Sequence, residues 1–296
     1  MRQELEEIIC EPKAYLNELM MDENSGLPSV KEVFDTTPYT ILVVDDNPDM
    51  TDFLKRTFEG YFKRIIIAGD GVEALQLVRS HVPDIIVSDV MMPRMNGYEL
   101  CKTIKEDIAI SHIPVILLTA KDDKQSLISG YKNGADGYLS KPFEVEMLME
   151  LIRNRLKNRE YTKKRYLNAG LIPTPEESTI SLTDETFLIK LNSIIQENID
   201  NTNLGIQFIC QEVGLGRSSL YNKLKALTGM GANEYISKLR IEKAITLISG
   251  TDMPFSEIAE KTGFTTPSYF STTFKQYTGE TPSQYKERKK KGLTDQ

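Results

Sequence analysis

Three aspartates, a threonine and a lysine stand in this chain where short apolar runs end. Asp45 and Asp46 follow TILVV, Asp89 closes DIIVSD, Thr119 falls at the end of PVILLTA, and Lys141 ends GYLSK. Carboxylates that converge on one pocket cannot all stay ionised without a counter-charge. A hard divalent cation with oxygen ligands, Mg2+ above all, would supply it. A carboxylate is also a competent nucleophile toward phosphorus and gives an acyl phosphate. The metal and the Lys141 ammonium would then neutralise charge on the phosphoryl oxygens, and the Thr119 hydroxyl would donate to the same oxygens. Singly these residues mean little, because an Asp-Asp pair after a strand is usually a turn or a helix cap. Their joint occurrence at successive strand ends points to phosphoryl transfer.

The elements that must position them can be read from the texture of the chain. From Tyr39 onward, TILVV, RIIIA, DIIVSD, PVILLTA and GYLSK alternate with helical patterns over residues 50–59, 71–81, 97–106, 123–133 and 144–157. Near-continuous apolar strands suit a parallel sheet covered on both faces. The alternation predicts an α/β (βα)5 doubly wound domain over residues 39–158, with its chemistry at the carboxyl ends of the strands. Residues 1–38 read as an acidic extension with one amphipathic stretch near residues 5–21, and residues 159–182 as an interdomain linker whose early part is open to being an extension of the helix before it. Beyond it the strand signal disappears. An all-α domain is expected over residues 183–290, with helices over 184–199, 206–213, 217–227, 232–249, 255–262, 267–277 and 282–288, followed by a tail at 291–296. Gly214, Gly216, Gly229, Gly263 and Gly279 fall where those helices should stop.

Composition narrows the function classes. Apolar residues make up 40% and charged residues 27%, an ordinary balance for globular domains. Cys10, Cys101 and Cys210 are scattered, which reads as a reducing compartment without a disulfide framework. Only His81 and His112 are present, so a His-rich metal or haem site is excluded. No apolar run reaches the roughly 18 residues that span a bilayer, and the first residues lack a signal-peptide pattern. The expected location is the cytoplasm. The net charge of −7 hides an asymmetry: residues 1–38 carry 3 basic and 9 acidic side chains, whereas residues 204–296 carry 13 basic and 9 acidic. An anionic partner at the C-terminal end fits that distribution.

Two helix-turn-helix units can be placed in the helical half. The first joins residues 206–213 to RSSLYNKLKAL, and the second joins residues 255–262 to TPSYFSTTFKQY. The second helix of each unit would enter a major groove. Leu220, Leu224, Phe270 and Phe274 recur at helical spacing and should face the core. Arg217, Ser218, Ser219, Asn222, Lys223, Thr266, Ser268, Tyr269 and Thr272 are the candidates for base edges or phosphates of double-stranded DNA.

Through the motifs ILVVDDNPDM, DIIVSDVMMPRMNGYEL, PVILLTA and GADGYLSKPF, residues 39–158 resemble the CheY-like receiver domains of two-component response regulators. The resemblance implies that Asp89 accepts a phosphoryl group from a histidine kinase. It implies that Asp46 and Asp89 hold Mg2+ through side chains, Met91 through its backbone carbonyl, and Asp45 partly through water. Lys141 and Thr119 would contact the phosphoryl group, Tyr138 would be the switching aromatic, and the peptide before Pro142 would be cis. It further implies phosphorylation-dependent homodimerisation through residues 123–157. Met91 and Lys121 take positions that govern water attack, and an apolar Met91 predicts slow self-dephosphorylation. In the helical half, VGLGRSSLYNKLKALTG, IAEKTGF and SYFSTTFKQYTGETPSQY resemble the AraC-type DNA-binding domain, with Thr272 where that family often has a basic residue.

The implied protein is a phosphorylation-controlled transcription regulator, not an enzyme beyond chemistry at Asp89 itself. The same pairing of domains also forms the C-terminal part of certain hybrid two-component sensors. A haloacid-dehalogenase-type hydrolase would place a second catalytic Asp two residues after Asp89, where this chain has Met91.

Overall fold

The computed structural model describes residues 34–120, 134–168 and 181–290. Residues 35–296 group as one compact unit. The first part of that unit alternates β1 (Thr40–Val44), α1 (Pro48–Phe58), β2 (Arg64–Ala68), α2 (Gly71–His81), β3 (Ile85–Asp89), α3 (Gly97–Glu106), β4 (Val115–Ala120) and β5 (Gly137–Lys141). All neighbouring strands are parallel, in the order β2-β1-β3-β4-β5. That order puts a topological switch between β1 and β3, where a doubly wound sheet leaves a crevice at its carboxyl edge. The central strands β1, β3 and β4 are buried on both faces, as their unbroken apolar runs require. Leu42, Val44, Ile86, Val115 and Leu117 pack with Ala74, Val78, Leu100 and Ile104 of α2 and α3. Their alternating neighbours Ile41, Val43, Ile85, Val87, Ile116 and Leu118 are buried as well.

Local chemistry starts each helix. Asn47 caps α1 with Pro48 in its first turn, Asp70 caps α2 through Val72 and Glu73, and Asn96 forms a capping box with Glu99 at α3. The last helix of this part, α4 (Val145–Asn168), is longer than the 144–157 pattern suggested and runs through the first part of the segment read as a linker. Its far end is held by packing: Tyr166 enters the core of the helical half, and the Lys238 ammonium donates to the Tyr166 carbonyl.

The helical half comprises α5 (Leu182–Glu197), α6 (Ile206–Val213), α7 (Arg217–Thr228), α8 (Ala232–Gly250), α9 (Phe255–Lys261), α10 (Pro267–Thr278) and α11 (Pro282–Lys290). It has two cores. The first gathers Phe187, Leu191, Ile209, Leu220, Leu224 and the front of α8. The second gathers Ile258, Phe264, Phe270, Phe274 and Tyr285 around the back of α8. Leu239 belongs to one and Ile241 to the other, so a single helix carries both units. Gly214 and Gly263 turn the chain at positive φ (73° in each case). At Gly263 a side chain would also meet the Ile199 carbonyl at 2.3 Å.

The stretch near residues 5–21, Lys121, the helix expected over 123–133 and the tail at 291–296 lie outside the described residues.

Candidate functional site

The carboxyl edge of the sheet brings Asp45, Asp89 and Lys141 together. The Lys141 ammonium lies 2.9 Å from Asp45 Oδ2 and 2.6 Å from Asp89 Oδ1. The remaining oxygens are engaged by backbone: Asn47 N–H donates to Asp45 Oδ1 at 2.9 Å, and Met91 N–H donates to Asp89 Oδ2 at 3.0 Å. Both aspartates are buried, whereas Asp46 and the Met91 side chain are exposed. Burial pushes the Asp89 carboxyl above its ordinary value, helped by the neighbouring Asp45 and opposed by Lys141. Burial works against the Lys141 ammonium, but its bonds to Asp89 and Asp45 outweigh that and hold it above the ordinary lysine value. Thr119 is buried at the end of β4, paired in register with Ser140. Tyr138 packs partly buried against the core on the α2–α3 face. The Lys141–Pro142 peptide is cis.

The loop after β3 is braced so that Asp89 is held in place. Gly97 N–H donates to the Val90 carbonyl at 3.0 Å, and a β-carbon on Gly97 would come within 2.2 Å of the Asp89 carbonyl oxygen. Arg94, at φ 64°, pairs with the buried Asp70, and Gly71 N–H donates to the Met95 carbonyl at 3.2 Å. Only glycine fits so close an approach of two backbones at Gly97.

The outer faces of α7 and α10 present most of the residues proposed for DNA. Arg217, Ser218, Thr266, Ser268, Tyr269 and Thr272 are exposed, and Ser219 and Asn222 are partly so. Lys223 is a correction. Its side chain is completely buried, pairs with Asp184 of α5, donates to Ser111 Oγ at 2.8 Å, and lies 5.1 Å from the Phe187 ring centre. It follows Leu220 by three residues and precedes Leu227 by four, which places it on the apolar face of α7 and not on the groove-facing one. That spacing was readable in the sequence. Its partner was not: Ser111 lies in the loop before β4, far away along the chain, and donates to Asp184 Oδ1 at 2.7 Å.

Comparison with known proteins places these features in a family. The family described as "Response regulator receiver domain" matches residues 41–153, and that described as "Helix-turn-helix domain" matches residues 209–288. Response regulator MprA from a Mycobacterium species (strain KMS) is 36% identical over 165 residues, covering 51% of this chain and 70% of its own length. The chain belongs to the response regulators. In this response regulator a receiver domain is joined to a helix-turn-helix region of the AraC type. A further relative, Histidine kinase P4 from Formosa agariphila, is 41% identical over 249 residues, which cover 84% of this chain but 18% of that protein. The DNA-binding response regulator MtrA of Mycolicibacterium smegmatis is 37% identical over 136 residues, or 46% of this chain and 58% of its own. The chain therefore spans less than two thirds of the length of these two relatives. Among solved structures, the receiver domain of Francisella response regulator 1452 is 37% identical, over 40% of this chain and 98% of its own, with a TM-score of 0.37. No helix among the described residues is long and apolar enough to cross a membrane.

Proposed function

We propose that this response regulator is switched by phosphorylation of Asp89. The observation that carries the reading is the Lys141 ammonium bonded at once to Asp45 and Asp89 at the carboxyl edge of the sheet. One Asp89 oxygen would bond to phosphorus as the phosphorus–nitrogen bond of a histidine kinase's phosphohistidine breaks, and the imidazole takes the leaving electron pair. Burial raises the basicity of Asp89 and so its nucleophilicity. Lys141, already within reach, would follow the new phosphoryl oxygens, and the Thr119 hydroxyl would donate to them. Tyr138 would follow Thr119 and carry the change to the surface.

The donor set also fits Mg2+. Among the described residues no three His, Cys, Asp or Glu side chains form a closed cluster. What is present is oxygen only: two buried carboxylates on one cation, the exposed Asp46, and the Met91 backbone tied to Asp89. Mg2+ commonly binds through one or two carboxylates and keeps several waters. Asp46, Asp89 and the Met91 carbonyl would hold it, with Asp45 reached through water. The ion would supply positive charge to the transferring phosphoryl group.

In this reading phosphorylation drives homodimerisation through residues 123–157 and raises affinity for double-stranded DNA, read by Arg217, Ser218, Ser219 and Asn222 of α7 and by Thr266, Ser268, Tyr269 and Thr272 of α10. The cytoplasm is the compartment that suits these partners. Residues 39–158 would be the receiver, 159–182 the connection and 183–290 the DNA-binding domain. A second reading has a specific observation behind it. The match to Histidine kinase P4 runs through both halves, so the chain also fits the output end of a hybrid sensor with the same chemistry.

The test is incubation with acetyl phosphate and Mg2+, followed by intact-mass spectrometry, light scattering and DNA binding. The wild type should gain one phosphoryl group, retain it for many minutes because Met91 cannot orient water, and dimerise. Asp89→Ala should do none of these. A wild type that stays unmodified, or an Asp89→Ala protein that responds equally, removes the switch.

A further inference from the structure

A cavity of about 100 Å³ lies where the α/β half meets the helical half, at the opposite end of β4 from Thr119. From the first half it is lined by His112, Arg155 and Arg159, and from the second by Ser181, Asp184 and Leu227. Its polar lining is unevenly satisfied. His112 is nine-tenths buried, yet neither ring nitrogen has a hydrogen-bond partner. The Nε groups of Arg155 and Arg159 are also buried without one. A buried donor left unmade costs about 1–3 kcal/mol, more for a charged group, so the two guanidinium N–H groups and the imidazole N–H lack an acceptor.

The carboxylates beside the cavity do not supply it. Asp136 is taken by Lys105 at 2.7 Å and by Val115 N–H at 2.7 Å, while Asp184 is taken by Lys223 and Ser111. Arg159 spends one terminal nitrogen on Asp84, at 3.3 Å from the carboxylate. Two arginines and a histidine therefore line a space whose two carboxylates already each hold a lysine. The first turn of α5 adds the positive end of a helix to the same wall, though Ser181 caps one of its N–H groups.

We propose that this cavity binds a small oxyanion of the size and charge of inorganic phosphate, held by His112, Arg155 and Arg159. A neutral imidazole offers one donor and one acceptor. Its two ring nitrogens point apart, so a single oxyanion can meet only one of them, and phosphate and sulfate can both accept from its N–H. Because α5 and α7 close the cavity, an occupied site ties the first helix-turn-helix unit to the α/β half. The site is separate from Asp89 and does not rest on phosphorylation there.

The experiment is isothermal titration of the full-length protein with sodium phosphate, and in parallel with sodium sulfate, in EDTA so that no metal bridges the anion to Asp89. Circular dichroism confirms that each variant is folded. One saturable site is expected for each anion. Arg155→Gln and His112→Leu should each weaken it by about tenfold or more, the loss expected for one charge-assisted or buried hydrogen bond. Lys141→Ala and Arg217→Ala should leave it unchanged, because they alter the Asp89 pocket and the DNA face. No saturable heat would mean that water alone fills the cavity, and would overturn the proposal. So would binding that survives Arg155→Gln, or that disappears with Lys141→Ala or Arg217→Ala.

Discussion

Replacing Lys223 by alanine separates two opposed roles for a lysine on a recognition helix. A groove-facing lysine contributes little to folding, and its loss lowers the salt dependence of DNA binding by about one unit of slope. The structure gives Lys223 the other role. Its side chain is 0% exposed, and the Asp184 carboxylate it neutralises is 5% exposed. Removal would strand that carboxylate with only the Ser111 hydroxyl. Deleting one partner of a buried pair costs about 3–5 kcal/mol, because the surviving charge is uncompensated. With a urea slope of about 2–3 kcal/mol/M, the unfolding midpoint of Lys223→Ala should fall by about 1–2.5 M. The double change Lys223→Met with Asp184→Leu removes both charges and keeps volume, and should recover most of the loss. Urea titrations followed by circular dichroism measure the first effect, and DNA affinity across a salt series measures the second. A midpoint unmoved in Lys223→Ala, together with a shallower salt slope, would refute the burial argument.

Gly97→Ala forces a β-carbon to within 2.2 Å of the Asp89 carbonyl, so the loop must shift. It should cost about 1–3 kcal/mol and slow phosphoryl uptake, read by denaturation and by intact-mass kinetics. Glu242 in α8 is pushed up to about 7 by burial, against the pull of Lys238. The native state thus holds a proton there that the unfolded chain releases near the ordinary value of 4.5. Its contribution to stability is therefore greatest below 4.5, declines as pH rises to about 7, and is flat above that. Glu242→Gln should flatten that decline in unfolding midpoints measured across the same range. The Cys101 thiol, fully buried, is pushed up to about 12 by desolvation. Iodoacetamide and peptide mapping of the native protein should find Cys101 unmodified and the more accessible Cys210 alkylated.

Much of this molecule is written in local pattern. The five apolar runs became the five parallel strands because a sheet buried on both faces needs unbroken hydrophobic stretches, and the strand ends delivered Asp45, Asp89 and Lys141 to one another. Helix stops fell at Gly214, Gly229, Gly263 and Gly279, each at positive φ. What local pattern could not give was pairing at long range. Ser111 and Asp184 find each other across 73 residues, and neither lies in a periodic signal that names the other. The extension of α4 into the linker was legible only as one option, for a related reason. The segment NREYTKKRYLN has no strong apolar stripe, and its helix persists because Tyr166 is taken into a core formed by residues beyond it. Lys223 was misplaced by residue type: its spacing spoke for the interior and its charge for the surface.

The unbroken run of α4 also fixes a rotational phase. From the edge of the sheet to Tyr166 the chain has no joint at which twist can be absorbed, so the azimuth of Tyr166 and Leu167 is set by residue count alone. One residue inserted after Lys157 would turn everything downstream by about 100° and swing Tyr166 away from its seat, whereas an insertion of four would bring it back to within about 40°. The response regulator thus behaves at this joint as a keyed shaft, whose angular registry is set by the number of residues along it.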